Sequence, residues 1–132
     1  MSRILIIDDD DILREILALT LQRVGHDVLQ AGDGRLAADI IEATPVDLVI
    51  TDIIMPGQEG IETIQQLKRL HPTLPVIAMS GTSSHSQIYL DMAGRLGACR
   101  MLGKPFTIEE LLGAIAEALA GTAARPPAAH PF

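Results

Sequence analysis

Short apolar runs alternate along the chain with longer segments whose apolar residues recur at helical spacing. The runs predict five strands, at residues 4–7, 26–29, 48–50, 76–79 and 99–102. Each run is followed by apolar positions with a period of about 3.6 residues, which predicts a helix after every strand. Strands without polar alternation, each followed by a helix, indicate a parallel sheet covered on both faces. The pattern therefore predicts a doubly wound α/β domain built from right-handed βα units.

Spacing and chain breakers define the predicted helices. The first is indicated by Ile12, Ile16, Leu19 and Val24, and stops at Gly25. A weaker fourth helix is predicted over residues 82–96. The last begins near Thr107, which forms a capping-box pattern with Glu110.

Composition places the chain among globular proteins of one domain. It has 132 residues, of which 48% are hydrophobic and 20% are charged, and this length allows one core of ordinary size. From Gly121 onward the sequence turns to alanine and proline. We therefore expect a domain over residues 1–120 and a disordered Ala/Pro-rich tail over residues 121–132. We expect no output domain, so that the chain is a stand-alone module.

Charge and cysteine content exclude several classes of function. The formal net charge is -7, and the cations are scattered, which argues against non-specific nucleic-acid binding. The single Cys99 cannot form an internal disulfide, and we expect it to be a small buried hydrophobe in the fifth strand. No apolar run approaches the ~20 residues of a membrane span. We expect a cytoplasmic protein.

Polar side chains stand at the carboxyl ends of four predicted strands. Asp8 and Asp9 follow the first strand, Asp52 the third, Ser80 the fourth and Lys104 the fifth. Ligands of open parallel sheets bind outside these ends, so we expect the side chains to converge at one edge. Taken singly, each has an ordinary explanation as a helix cap, a turn residue or a solvated surface residue. The whole set indicates a site.

The strand-end carboxylates, those of Asp8, Asp9 and Asp52, would repel one another in such a cluster. Two unit charges ~4 Å apart at an effective dielectric constant of ~20 differ by about 4 kcal/mol from separated ones. A hard divalent cation relieves this repulsion, and Mg²⁺ in particular is held by one or two carboxylates while keeping waters that a phosphate can replace. Asp10 and Asp11, the rest of the acidic run, are better explained as a helix N-cap and an acidic first turn.

Phosphoryl transfer to a carboxylate is the chemistry that fits this set. Asp52 would be the nucleophile, since carboxylates form aspartyl-phosphate intermediates. The metal and Lys104 would neutralise charge on the phosphoryl oxygens, and the Ser80 hydroxyl would donate a hydrogen bond to one of them.

Four stretches of the chain, residues 4–10, 49–57, 79–81 and 104–106, together resemble the receiver domain of response regulators in two-component signal transduction. The resemblance covers residues 3–120. It implies a flavodoxin-like fold, with five parallel strands in the order 2-1-3-4-5. It also implies that Asp52 takes its phosphoryl group from a phosphohistidine on a sensor histidine kinase or a histidine phosphotransfer protein.

The resemblance assigns roles to the other site residues as well. Ser80 corresponds to the hydroxyl residue that moves toward the phosphoryl group. Lys104 corresponds to the family lysine, whose bond to Pro105 is typically cis. The implied Mg²⁺ ligands are Asp9, Asp52 and the backbone carbonyl of Ile54, with Asp8 acting largely through water.

Met101 departs from the family pattern. Members usually carry Tyr or Phe three residues before the lysine, and that ring turns inward when the hydroxyl residue moves. A methionine is flexible and can repack, so our hypothesis is that the predicted fourth helix, with Tyr89, reports the phosphorylated state instead.

Three functions compete at this point. The first is a regulator that signals through a phosphorylation-dependent protein-binding face, and the second is a phosphorelay intermediate or phosphate sink without a docking output. The third is a hydrolase of the haloacid dehalogenase type, which uses similar chemistry. That enzyme family places its nucleophile after the first strand and adds a cap domain, so it is disfavoured. We expect a chain that catalyses only its own phosphorylation and dephosphorylation.

Overall fold

The computed structural model describes residues 2–53, 60–81, 91 and 94–123. Its strands are β1 (Arg3–Ile7), β2 (Asp27–Ala31), β3 (Leu48–Asp52), β4 (Val76–Ser80) and β5 (Arg100–Gly103). Within the described ranges the helices are α1 (Asp11–Arg23), α2 (Ala37–Ala43), α3 (Gly60–Leu70) and α4 (Ile108–Ala123), and a 3-10 turn over Gly34–Leu36 precedes α2. The predicted strands are confirmed, with shifts of at most two residues at their ends.

The strands form one parallel five-stranded sheet in the order β2-β1-β3-β4-β5. This is the flavodoxin-like order that the resemblance implied, and it confirms the doubly wound fold. The winding direction reverses between β1 and β3, and ligands of such sheets bind at this switch point. Asp8 directly follows β1 and Asp52 ends β3, so both acidic residues lie at that point.

Apolar side chains cover both faces of the sheet because alternate strand residues point to opposite sides. Leu5 and Val49 pack in the cluster that contains Ile64 of α3. Ile6 packs in the other cluster, which contains Leu21 of α1. All five are fully buried, and each such side chain contributes about 1.5–3 kcal/mol relative to an exposed one. Two cores therefore hold the strands in fixed register beneath the site.

Helix α1 has two apolar stripes, and the stripe that indicated the helix faces solvent. The exposed positions are Ile12 at 75%, Ile16 at 51%, Leu19 at 47% and the C-cap Val24 at 51%. The buried positions are Leu17, Ala18 and Leu21. Successive helical residues turn by about 100°, so each set satisfies the helical period on its own side. Periodicity locates this helix but does not select the face that it buries.

Cys99 is exposed, so the expectation of a buried residue was wrong. It directly precedes β5, which is an edge strand, and three of the four β5 residues that follow, Arg100, Met101 and Gly103, are exposed as well. The Cys99 amide donates to the Val76 carbonyl at 2.9 Å, so the residue still belongs to the sheet. An edge strand lacks a neighbour on one side, and an apolar run there does not bury every member.

Some predicted features fall outside the described residues. The predicted fourth helix, residues 82–96, is a different segment from α4 and lies between β4 and β5 along the chain. It is described only at 91 and 94–96. Helix α4 continues to Ala123, beyond the predicted domain boundary at residue 120, and residues 124–132 of the predicted tail lie outside the description. Among the helices that are described, none has the length and apolar character needed to cross a bilayer.

Candidate functional site

The carboxyl ends of the strands bring the predicted polar residues to one edge of the sheet. The register pairs Asp52 with Met79 and Ser80 with Gly103, so Asp52 and Ser80 end neighbouring strands. The Lys104 amide donates to the Ser80 carbonyl at 2.7 Å, which continues the ladder between β4 and β5 by one residue. Backbone hydrogen bonding therefore fixes where each of these side chains begins.

Three carboxylates form the acidic part of the site. Asp8, Asp9 and Asp52 each place an oxygen within 4.8 Å of the others. Asp8 and Asp52 are buried, whereas Asp9 is exposed. Oxygens bound to Mg²⁺ at ~2.1 Å in an octahedron lie at most ~4.2 Å apart. The donor set and its spacing therefore suit a small hard cation after slight adjustment, and Asp9 leaves one side of the cluster open to solvent.

Lys104 bridges two of these carboxylates. Its Nζ lies 3.1 Å from Asp52 Oδ2 and 3.2 Å from Asp8 Oδ2. Burial lowers the pKa of Lys104, but the negative charges of Asp52 and Asp8 and their hydrogen bonds outweigh burial and raise that pKa above its ordinary value. The lysine is therefore a fixed cation at neutral pH. Its peptide bond to Pro105 is cis, as the resemblance implied.

Burial imposes a desolvation cost on the charged form of Asp8. Its side chain is fully buried, and burial, together with the charge of Asp52, raises its pKa above the ordinary value. Two contacts act in the opposite direction, the Asp10 amide, which donates to Asp8 Oδ1 at 2.9 Å, and the Lys104 ammonium. Because these contacts do not fully offset burial, an additional cation beside Asp8 is favourable.

Ser80 presents a hydroxyl that lacks a partner among the described residues. The residue is fully buried at the end of β4, and its Oγ accepts and donates no hydrogen bond there. A buried hydroxyl without a partner costs about 1–3 kcal/mol. Such a group at a strand end beside a carboxylate cluster is available to a ligand that enters the site.

Asp10 and Asp11 take no part in the carboxylate cluster, which confirms their interpretation as helix-start residues. Asp10 Oδ1 accepts hydrogen bonds from the amides of Ile12 and Leu13 at 3.1 Å each. Asp11 forms an ion pair with Arg14 at 2.7 Å. The acidic run thus divides into two residues that form the cluster and two that start α1.

Roles were also predicted for Met101, Ile54 and Tyr89, and of these three the structure describes Met101. Met101, at the position of the family's aromatic ring, is 43% exposed. Its sulfur lies 3.4 Å from where a Cβ on Gly94 would stand, so it packs against the end of the predicted fourth helix. Ile54, the predicted carbonyl ligand, and Tyr89, the predicted reporter, lie outside the described residues.

Arg14 also belongs to this edge of the sheet. Its Nη1 donates to the backbone carbonyl of Asp8 at 2.6 Å. No pattern in the sequence predicts a contact to a backbone oxygen, because such a contact depends on the rotation of α1 about its axis.

Comparison with known proteins agrees with this geometry. Residues 4–116 match the profile of the family described as the response regulator receiver domain. The chain belongs to this family. Among curated proteins, it is 35% identical over 130 residues to the DNA-binding transcriptional regulator NtrC of Azospirillum brasilense, which covers 98% of this chain and 26% of NtrC. The chain therefore spans about a quarter of that relative's length.

Solved receiver structures share the fold as well as the sequence. The receiver domain of NtrX from Brucella abortus superposes with a TM-score of 0.84 at 31% identity, covering 89% of this chain and 98% of that one. The response regulator TrrA from Thermotoga maritima, solved in complex with Mg²⁺ and BeF, gives a TM-score of 0.80 at 30% identity, covering 90% of this chain and all of TrrA. In this receiver domain Asp52 ends the third strand, whereas the disfavoured hydrolases place their nucleophile after the first strand.

Proposed function

We propose that this receiver domain accepts a phosphoryl group on Asp52 from a phosphohistidine protein and acts as a response regulator. The observation that carries the proposal is the surroundings of the Asp52 carboxylate, which lies 3.1 Å from Lys104 Nζ and within a cluster of three carboxylates. A fixed cation beside a metal-type oxygen cluster neutralises the charge that develops on phosphoryl oxygens during transfer. Asp52 is therefore the nucleophile that this site supports best.

The transfer exchanges one bond at phosphorus. An Asp52 carboxylate oxygen forms a bond to phosphorus, while the bond from phosphorus to the imidazole nitrogen of the donor breaks and the imidazole takes the electron pair. The product is an acyl phosphate on Asp52. We further propose that the chemistry of the chain is confined to this phosphorylation and to its reversal by water.

We propose that Asp8, Asp9 and Asp52 hold Mg²⁺ during this step, with the Ile54 carbonyl as a further predicted ligand. When bound, the ion supplies Lewis-acid charge to a phosphoryl oxygen. The likeness to TrrA, which was solved with Mg²⁺ and BeF, supports this assignment. The exposure of Asp9 leaves the outer side of the cluster open to the incoming donor.

We propose that the Ser80 side chain responds to phosphorylation of Asp52. Its Oγ is buried and has no partner within the described part of the chain, so a phosphoryl oxygen on Asp52 would satisfy it. Donation from Ser80 would draw the end of β4 toward the phosphoryl group. This movement would link the chemistry at Asp52 to the segment of the chain that follows β4.

A protein donor has to dock beside the site, and α1 begins two residues after Asp9. Ile12 and Ile16 are 75% and 51% exposed, and they follow Asp9 by less than two helical turns. Exposed isoleucines on a helix that borders a reactive site indicate a contact surface for the phosphohistidine protein. We propose α1 as that surface.

The output of the phosphorylated domain has two candidates. One is a protein-binding face that depends on phosphorylation, and the other is a phosphorelay or sink without a docked target. The unpartnered Ser80 hydroxyl fits both, because it can donate to the phosphoryl group on Asp52 in either case. The affinity of a target protein with and without beryllofluoride decides between them, since only a docking output requires tighter binding to the modified form. We propose no nucleic-acid partner.

Mass spectrometry of the intact chain after incubation with acetyl phosphate and Mg²⁺ tests the phosphoacceptor. We expect the parent to gain the mass of one phosphoryl group and Asp52→Asn to gain none. Asp39→Asn, which changes an exposed carboxylate on α2, serves as the matched control and should be labelled like the parent. Labelling of Asp52→Asn at the parental rate would contradict the proposal.

A further inference from the structure

Arg14 joins three segments that meet beside the acidic cluster. Its Nη1 donates to the Asp8 carbonyl at 2.6 Å, its Nη2 lies 2.7 Å from Asp11 Oδ1, and its Nε donates to Gln30 Oε1 at 3.2 Å. These acceptors belong to the end of β1, the first turn of α1 and β2. A guanidinium carries its donors in a rigid planar fork, so the three contacts fix the segments relative to one another.

The space around Arg14 is shaped for this group. Its side chain is only 16% exposed, and a Cβ placed on Gly32 would stand 3.3 Å from Nη1. Gly32 therefore leaves room that a larger residue would reduce. The charge of the guanidinium is already balanced by Asp11, so the contact to the Asp8 carbonyl serves geometry rather than charge.

The Asp8 carbonyl is the point where the acidic turn needs support. The Asp8 amide is held by the Ala31 carbonyl at 3.1 Å, and its carboxylate is held by the Asp10 amide and Lys104. The peptide unit between Asp8 and Asp9 begins at this carbonyl, and its rotation aims the exposed Asp9 side chain. Among the described residues, Arg14 donates to this carbonyl and thereby restrains the rotation of the peptide unit.

We propose that Arg14 is a positioning residue, which aims Asp9 and Asp8 at the metal by clamping the Asp8 carbonyl. The inference rests on the proposed Mg²⁺ site. Groups that orient metal ligands from outside the coordination sphere change metal affinity by about 10- to 100-fold when they are removed. Once the ion is bound at saturation, the turn is held by its ligands, and the phosphorylation rate recovers.

Isothermal titration of Mg²⁺ into the full chain tests the clamp. We expect Arg14→Met, which keeps the length of the side chain without its donors, to weaken Mg²⁺ binding by about tenfold or more. The rate of phosphorylation by acetyl phosphate at saturating Mg²⁺ should stay within about twofold of the parent, which separates positioning from reactivity. Arg100→Met is the matched control, since it breaks an exposed ion pair with Glu117 at 2.8 Å and should leave Mg²⁺ affinity unchanged.

Two further variants keep the test decisive if Arg14→Met folds poorly. Arg14→Lys retains the charge but cannot span three acceptors, so we expect weakened Mg²⁺ binding here too. Gly32→Ala crowds Nη1 and should weaken binding by a smaller factor. Mg²⁺ affinity within twofold of the parent in Arg14→Met or Arg14→Lys would overturn the clamp, whereas a parent chain that binds no Mg²⁺ would overturn the proposed function itself.

Discussion

The buried charge of Asp8 lowers the free energy of unfolding, although the proposed Mg²⁺ site needs a carboxylate at this position. Its carboxylate is fully buried, and its folded-state pKa is raised by burial and by Asp52. A carboxyl group with a raised pKa binds more protons in the folded than in the unfolded state. The free energy of unfolding therefore falls as the pH rises from the unfolded pKa, near 3.8, through the folded one.

The first prediction concerns Asp8→Asn in chelator-treated protein. Removal of the buried charge should raise the free energy of unfolding at pH 7 by about 0.5–2 kcal/mol, the usual gain when a strained functional site is relieved. Urea denaturation near pH 3.8, the ordinary pKa of the group, and at pH 7 measures it, and the gain should be larger at pH 7. Asp39→Asn, at an exposed position, is the control. A loss of stability at pH 7 in Asp8→Asn would contradict the reasoning.

Gly34 is a residue whose side chain is excluded by packing. A Cβ built there would collide with Oγ1 of Thr63, and both residues are buried. Thr63 is β-branched and stiff at χ1, so it does not move aside cheaply. The glycine is required by the close approach of the 3-10 turn to α3.

The second prediction follows from this contact. Gly34→Ala should lower the free energy of unfolding by about 1–3 kcal/mol through overpacking. In a Thr63→Ala background the loss should shrink, and a double-mutant cycle by urea denaturation measures the coupling. Gly113→Ala in α4, where nothing lies within 4 Å of the added carbon, should instead stabilise by about 0.5–1 kcal/mol. Equal losses from both glycine substitutions would refute the packing explanation.

At the scale of elements, α1 performs two tasks with opposite faces. One face packs Leu17 and Leu21 in the core, and the other exposes Ile12 and Ile16 to solvent. The sequence shows that this segment is a helix, because either stripe has the helical period. It does not show which stripe is buried, because that depends on the Asp10 cap, the Arg14 contacts and the neighbouring elements together.

The third prediction tests the exposed face. Ile16→Glu should slow phosphoryl transfer from a phosphohistidine protein by about tenfold, the effect of losing about 1.4 kcal/mol of docking energy. Transfer from acetyl phosphate should be unchanged, because a small donor needs no docking surface. Leu70→Glu is the matched control, since Leu70 on α3 is equally exposed, at 51%. Equal slowing in both variants would argue against a docking role for α1.

At the scale of the whole molecule, the sequence predicted the fold and the site more securely than it predicted burial. Apolar runs located the strands, and the strand-end rule brought Asp8, Asp52 and Lys104 together as predicted. Cys99 was predicted to be buried but is exposed, because a run of apolar residues does not distinguish an edge strand from a central one. The Arg14 contact was missed because a backbone oxygen leaves no mark in the sequence.

The fourth prediction concerns the stability of the whole domain. A ligand that binds only the folded state adds RT ln(1 + [L]/Kd), or about 2.7 kcal/mol at one hundred times Kd. Mg²⁺ at that level should raise the free energy of unfolding by this amount in the parent and by much less in Asp52→Asn, as measured by thermal unfolding. Asp39→Asn should respond like the parent. An equal response in Asp52→Asn would place the ion elsewhere.

The contacts of Lys104 with Asp8 and Asp52 also have a consequence for how the protein folds in the cell. Because Lys104 supplies an internal counter-ion to Asp8 and Asp52, we expect the newly made polypeptide to fold its acidic edge without bound metal. Assembly and loading become separate events, and a cell short of magnesium would still hold a reservoir of finished, unloaded molecules ready for use.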